Sequence, residues 1–163
     1  MLNCTGPIQT VIVSSRADLS IFGKQLTKDN LITVAWHMPI SFGPPLYAIS
    51  IGKTRFSLEL IRKSKVFVVN FMPYYLREKL LVCGTKSGRL LDKFHETGLG
   101  KEEASSIDCC KVVEAVAQLE CEVVQEIEAG DHVIFVGKVL RAIEKNTSEK
   151  RPFQQGKEFT TTV

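Results

Sequence analysis

The stretch from Asn30 to Phe71 constrains this chain most. Leu31-Ile32-Thr33-Val34-Ala35-Trp36 is rich in β-formers, and Met38-Pro39 breaks it, because proline cannot donate to a strand ladder. Gly43-Pro44-Pro45 breaks the chain again, and Leu46 to Ile51 follows, apolar at nearly every position, as suits a strand covered on both faces. A polar corner, Lys53-Thr54-Arg55-Phe56-Ser57, opens a helical stretch, and Val66 to Phe71 reads as the next strand. The order is strand, bend, strand, cationic hydroxyl-rich corner, helix, strand.

The flanking sequence extends this β-rich pattern. Thr10 to Ser14 predicts a first strand, and Ser15 to Asp29, mixed in character, reads as a loop. Thr54 is placed as the N-cap of the first helix, with Glu59 four residues before Lys63 as an exposed pair. Tyr74 to Val82 reads as helix, Cys83 to Arg89 as a glycine-bracketed loop, and Leu90 to His95 as a short helix ended by Gly98. Lys101 to Lys111 carries little pattern and reads as loop. Ala117 to Ile127 and His132 to Ile143 flank the turn signal Glu128-Ala129-Gly130-Asp131, which predicts an antiparallel hairpin. Arg151 to Gly156 reads as loop and Lys157 to Val163 as a last short strand. Many strands with few short helices predict a mainly β fold, a barrel carrying helical insertions.

The length of 163 residues predicts one domain over residues 1–163. A formal charge of +3, with 21 basic residues scattered among 18 acidic ones, gives nucleic-acid or membrane binding no support. The five cysteines are odd in number and lack a C-x-x-C spacing, which points to reduced thiols in a cytoplasmic protein. No apolar stretch approaches the ~18 residues of a membrane span.

The corner at residues 53–57 is the candidate site. A helix N-terminus presents unpaired N–H groups and partial positive charge, and Arg55 can fork onto phosphate oxygens. Lys53, Thr54 and Ser57 add a cation and two hydroxyls, and Gly52 leaves room for a ligand to approach. The competing reading is a capped surface helix with a solvated arginine. Trp36 and His132 can equally be core and surface residues. No G-x-S-x-G, H-E-x-x-H, Walker loop or G-x-G-x-x-G occurs, so any catalysis would rest on a cofactor.

Asn30-Leu31-Ile32-Thr33-Val34-Ala35-Trp36, Pro44-Pro45-Leu46, Ser50-Ile51-Gly52-x-x-Arg55-x-Ser57 and Phe67-Val68-Val69-Asn70 together resemble the flavin reductase-like, FMN-binding split-barrel family, and its flavoredoxin-type subgroup in particular. Cys83-Gly84-x-x-Ser87-Gly88-Arg89, Asp92-Lys93-Phe94, Gly130-Asp131-His132 and Pro152-Phe153 are similar to pieces of the same subgroup, in the same order. The resemblance implies a split β-barrel homodimer that holds FMN. It implies that Ser50, Ile51, Gly52, Lys53, Arg55 and Ser57 line the ribityl phosphate, with Lys93 as a second cation and Ser87 as a further hydroxyl. Asn30, Thr33, Ala35, Trp36 and His37 would edge the flavin ring, and His132 would stand at the face where a nicotinamide stacks, as the catalytic position.

Three functions are compatible with these residues. One is an FMN-dependent oxidoreductase using NADH or NADPH. Another is a flavoredoxin-type carrier fed by a redox protein such as ferredoxin. The third is a flavinless binding module on the same fold. The role of Cys83, beside the proposed site, is open.

Overall fold

A computed structural model describes residues 6–146 and 148–161, so Cys4 lies outside the described residues. Its twelve strands are β1 (Ile8–Gln9), β2 (Val11–Ile21), β3 (Lys24–Val34), β4 (His37–Phe42), β5 (Pro45–Gly52), β6 (Val66–Phe71), β7 (Lys101–Glu103), β8 (Cys110–Val112), β9 (Ala117–Ala129), β10 (His132–Glu144), β11 (Phe153–Gln155) and β12 (Glu158–Thr160). The helices are α1 (Phe56–Ser64), α2 (Arg77–Thr85), entered through a 3-10 turn at Tyr74–Leu76, and α3 (Lys93–Thr97). None is long and apolar enough to cross a membrane.

Seven strands form one antiparallel sheet in the order β3-β2-β6-β9-β10-β5-β4. Its two edges, β3 and β4, are consecutive in the chain and joined only by Ala35 and Trp36. A two-residue link cannot cross the width of a flat sheet of this size, since each residue reaches at most ~3.6 Å and neighbouring strands lie ~4.8 Å apart. The sheet must therefore curl until its edges meet, which makes it a barrel, as expected. At the seam, the Ser50 N–H donates to the Trp36 carbonyl at 2.9 Å, which carries the β4–β5 pairing one residue beyond His37.

Alternation along the strands sorts the core. Val11 and Val13 of β2 point into the barrel with Ile49, Ile51, Phe67, Val69, Val133 and Phe135. Ile12, between them, faces outward into a second cluster with Leu31, Met72, Leu80, Phe94 and Val112, under α2 and α3. Helix α1 covers a third part of the barrel wall, through Phe56 and Leu60 against Ala17 and Leu19. Buried Asn70 joins the layers: its Nδ2 donates to the Ile12 carbonyl and to Ser14 Oγ, and its Oδ1 accepts from Val112 N–H and Gln118 Nε2.

Several local expectations are corrected. Ser15–Asp29 is not a loop but most of the β2–β3 hairpin, which pairs Ile21 with Lys24. Its turn places Phe22 at φ 51° and Gly23 at φ 75°, the two positive values that a type I′ turn requires. Met38-Pro39 does not end a strand: Pro39 sits within β4, an edge position where its missing N–H costs little, and the register slips between Pro39 and Ser41. Arg55, not Thr54, occupies the N-cap of α1. Helix α2 runs on through Gly84 to Thr85, and α3 starts at Lys93 because the Asp92 carboxylate accepts from Phe94 N–H and His95 N–H. Gly98 ends α3 in the left-handed region, as expected. Strand β7 and the start of β8 fall in the Lys101–Lys111 stretch, and β11 in the Arg151–Gly156 stretch. These strands are three residues each, too short for a visible period. Glu59 pairs with Arg89 and not with Lys63. The β9–β10 hairpin forms as expected, Ala129 opposite His132, with Gly130 at φ 62° in its turn.

Candidate functional site

The barrel register assembles the site from distant parts of the chain. Pairing of β10 with β5 sets His132 opposite Gly52, and the Lys53 N–H donates to the Asp131 carbonyl at 2.9 Å. The β9–β10 turn thus sits beside the corner that leads into α1. The corner is a tight turn, closed by the Arg55 N–H donating to the Gly52 carbonyl at 2.9 Å. Arg55 then adopts extended backbone (φ −84°, ψ 135°); no side chain caps α1, and in its first turn the Leu58 N–H donates to the Arg55 carbonyl at 3.1 Å.

Among the arginines near the corner, Arg62 and Arg89 pair with carboxylates, whereas Arg55 has no ion pair among the described residues. It lines three cavities, of about 640, 100 and 300 Å3.

The smallest, between the corner, α2 and α3, is lined by Asn30, Arg55, Ser57, Ser87, Gly88 and Lys93, among others. Lys93 is buried, and its Nζ donates to the carbonyls of Leu31 and Cys83, at 2.7 Å each. Burial pulls its pKa down to about 8; Cys83 opposes this, and the Arg55 guanidinium pushes the same way as burial. A lysine has three N–H donors, so one remains beyond the two carbonyls. Asn30, also buried, donates from Nδ2 to Ser57 Oγ at 2.8 Å, while its Oδ1 has no partner among the described residues. Ser87 Oγ accepts from the Arg89 N–H at 3.3 Å.

The cavity of about 300 Å3 lies between the ends of β3 and β5, where Thr33, Ala35, Trp36, Ser50, Ile51, Gly52, Arg55 and His132 converge. Trp36 is 43% exposed, and its ring centroid is 4.8 Å from that of His132 at a 41° tilt. His132 Nδ1 is 2.7 Å from an Asp131 carboxylate oxygen, which can only accept, so Nδ1 carries the proton of the bond. Thr33 has its hydroxyl hydrogen engaged, donating to the Leu80 carbonyl at 2.6 Å.

Two residues expected at the site direct their side chains elsewhere. His37 is a barrel residue: one ring nitrogen meets the Gln9 carbonyl at 2.9 Å, so it donates there, and the other accepts from the Tyr47 hydroxyl at 2.7 Å. Burial lowers its pKa against the opposing effect of the Gln9 bond, which keeps the ring neutral. The Lys53 ammonium pairs with Glu128. Cys83 is buried in α2, and burial pushes its thiol up to about 11, so it is not a reactive thiolate. Sequence reasoning missed Gln154, which β11 brings to the cavity of about 300 Å3, Gly88, against which Asn30 packs, and Asp131, which holds His132. Only Gly88 and Asp131 lay within recognisable motifs.

Residues 7–161 match the family described as "Flavin reductase like domain". A protein of Archaeoglobus fulgidus is 33% identical over 140 residues, covering 86% of this chain and 74% of its own. An FMN-binding protein from Thermus thermophilus, solved with bound 1-cyclohex-2-enone, superposes with a TM-score of 0.86 at 23% identity, covering 99% of this chain and 89% of that one. The flavoredoxin of Desulfovibrio vulgaris (Miyazaki F) superposes with a TM-score of 0.84 at 18% identity, covering 98% of this chain and 88% of that one. At these identities the two structures establish a shared fold.

Proposed function

This chain belongs to the flavin reductase-like domain family, and from that premise we propose that it binds FMN and works as an oxidoreductase drawing electrons from NADH or NADPH. Flavin-based redox chemistry follows from the family; the choice of FMN, the nicotinamide link and the residues below are our reading.

The residues fit the parts of FMN. A phosphate dianion needs cationic donors, and Arg55, with no ion pair among the described residues, lines one cavity with Ser57 and with Lys93, which has a spare N–H. A polyol chain needs acceptors for its hydroxyls, and the Asn30 Oδ1 atom is buried without a donor among the described residues. A flat ring needs an open slot with backbone edges, and the seam at Ala35, Trp36 and Ser50 borders one. When bound, the flavin supplies two-electron acceptance from a nicotinamide and one- or two-electron donation to an acceptor. The chain's own work is positional. Arg55 and Lys93 neutralise the phosphate and thereby fix where the ring lies. Asp131 holds His132 with its Nδ1 proton engaged, and His132 braces Trp36, so the two rings make the wall against which a nicotinamide stacks. His37 and Lys53 support the barrel and the corner and take no part through their side chains.

The single observation that carries this reading is Arg55, a guanidinium that lines three cavities and has no carboxylate partner among the described residues. We read residues 7–161 as one working domain. A second copy would cover the outer face of β4, where Met38, Ile40 and Phe42 are exposed, because an exposed apolar patch marks an association surface. The deciding experiment is the visible spectrum of the purified protein reconstituted with FMN, followed by anaerobic NADH or NADPH. Bleaching of the bound flavin is expected. Bound flavin that stays oxidised would assign the protein to protein-fed electron transfer, and failure to bind FMN at all would overturn the reading.

A further inference from the structure

Cys109 and Cys110 are neighbours in the chain, both fully buried, and the flavin reading uses neither. Consecutive residues of a strand point to opposite faces. This pair departs from that rule, because Cys109 precedes β8 in a turn where its own N–H donates to the Ile107 carbonyl at 3.0 Å. Both thiols lie against one strand, β2. The Cys109 thiol donates to the Ser14 carbonyl at 3.6 Å, and the Cys110 thiol reaches the Ser15 carbonyl at 4.0 Å. The two side chains also interact: hydrogen bonding with Cys109, ahead of burial, pushes the Cys110 thiol up. The rise belongs to the pair, unlike that of Cys83, which comes from burial. Whichever sulfur ionises first is held by the S–H of the other, and the second proton is then hard to remove.

The pair ends a short, pinned loop. The Ala104 N–H donates to the Cys109 carbonyl at 2.9 Å and closes it. The buried Glu120 carboxylate accepts from the Ser105 and Ser106 N–H groups, and Arg16 Nη1 donates to an Asp108 carboxylate oxygen at 3.0 Å. Asp108, next to Cys109, is exposed. We propose that Cys109 and Cys110 are a redox modification site, which a low-molecular-weight disulfide converts by thiol–disulfide exchange into a reversible bond between the two cysteines. Opening of the loop admits the reagent. One thiolate attacks its S–S bond, forming a mixed disulfide and releasing a first small thiol. The second cysteine attacks the protein sulfur of that mixed disulfide, forming the Cys109–Cys110 bond and releasing a second small thiol. The two protons of the protein thiols end on the two released thiols. Neighbouring Cα atoms lie ~3.8 Å apart, less than the ~4.4–6.8 Å of ordinary disulfides, so the product is strained and easily reduced. Its ring contains the Cys109–Cys110 peptide, which must twist, so the Cys109 carbonyl leaves the Ala104 N–H and the loop loosens.

The test treats the folded full chain with cystamine, quenches in acid, alkylates the remaining thiols and weighs the tryptic peptide of residues 102–111. That peptide holds Cys109 and Cys110 as its only cysteines. The expected product has lost two hydrogens, carries neither alkyl group nor cysteamine, and returns to the dithiol with dithiothreitol. Hydrogen exchange at the Ala104 N–H should quicken about tenfold in the oxidised chain, as a loop bond is lost. Cys109→Ala and Cys110→Ala each lack the second sulfur, so a chain that reacts keeps its cysteamine adduct. The unmutated chain decides the matter even where these variants fail to fold. Thiols that react only in denaturant, or a stable cysteamine adduct on the unmutated chain, would overturn the site. An unchanged Ala104 exchange rate in the oxidised chain would overturn its link to the loop. None of these readouts requires bound flavin.

Discussion

Gly88 stands so close to Asn30 that a β-carbon on the glycine would lie 1.8 Å from the asparagine Oδ1 atom. The loop after α2 can pack onto β3 only because no side chain intervenes. Gly88→Ala must push Asn30 off its bond to Ser57, inside a buried polar cluster. We expect a stability loss of about 1–3 kcal/mol, the usual scale for overpacking and for a broken buried hydrogen bond. Chemical denaturation measures this, and flavin affinity should fall with it. A variant as stable as the parent would show that the loop yields freely.

Arg55→Ala separates binding from folding. The guanidinium has no ion pair to lose among the described residues, so stability should stay within about 0.5 kcal/mol of the parent. FMN affinity should fall by about 1.5–3 kcal/mol, the worth of a charge-assisted hydrogen bond. An unchanged dissociation constant would refute the phosphate assignment.

Lys93 makes both stability and binding depend on pH, with opposite signs. Burial holds its folded pKa at about 8, below the ordinary 10.5. Between those values the unfolded chain carries the extra proton, so this group's contribution to flavin-free stability rises as pH climbs from 8 to 10.5. Lys93→Met should remove that rise. A bound phosphate favours the ammonium and raises its pKa, so FMN binding takes up a proton. Affinity should therefore weaken above about pH 8, by up to about tenfold per pH unit. Titrations at several alkaline pH values check this, and a pH-independent constant would place the phosphate away from Lys93.

His132→Ala should slow reduction of the bound flavin by NADH or NADPH about tenfold, roughly 1.4 kcal/mol of barrier. The effect on FMN affinity should be smaller, since the ring lies against Trp36 and away from the small cavity. Stopped-flow bleaching separates the two quantities. An unaltered rate would make His132 a packing partner of Trp36 and nothing more.

Glu120 tests the frame and not the site. Burial raises its pKa, yet the N–H groups of Ser105 and Ser106 and the Lys111 ammonium outweigh this and leave it lowered. Its stabilising contribution is thus present at neutral pH and lost as pH falls through the lowered value. Glu120→Gln should cost about 1–3 kcal/mol at neutral pH and less in acid, measured by denaturation across pH.

What the sequence determined by itself lay in long or punctuated runs. Thirteen residues each in β9 and β10 around a glycine turn, and the buried run of β5, state their structure locally, because period and turn chemistry act over a few residues. Phe22-Gly23 was as local a signal, but a bulky aromatic at positive φ is uncommon enough to hide the longest error, the β2–β3 hairpin. Tertiary structure alone decided which side chains were free. Lys53 and Arg55 are two residues apart in one motif, yet Glu128, near the end of β9, neutralises the first and nothing described neutralises the second. His37 and His132 looked alike as ring neighbours until Gln9 and Tyr47 claimed both nitrogens of one of them. Electrostatic pairing and desolvation depend on distance through space, and in a closed barrel that distance is set by strand order, which no local pattern encodes.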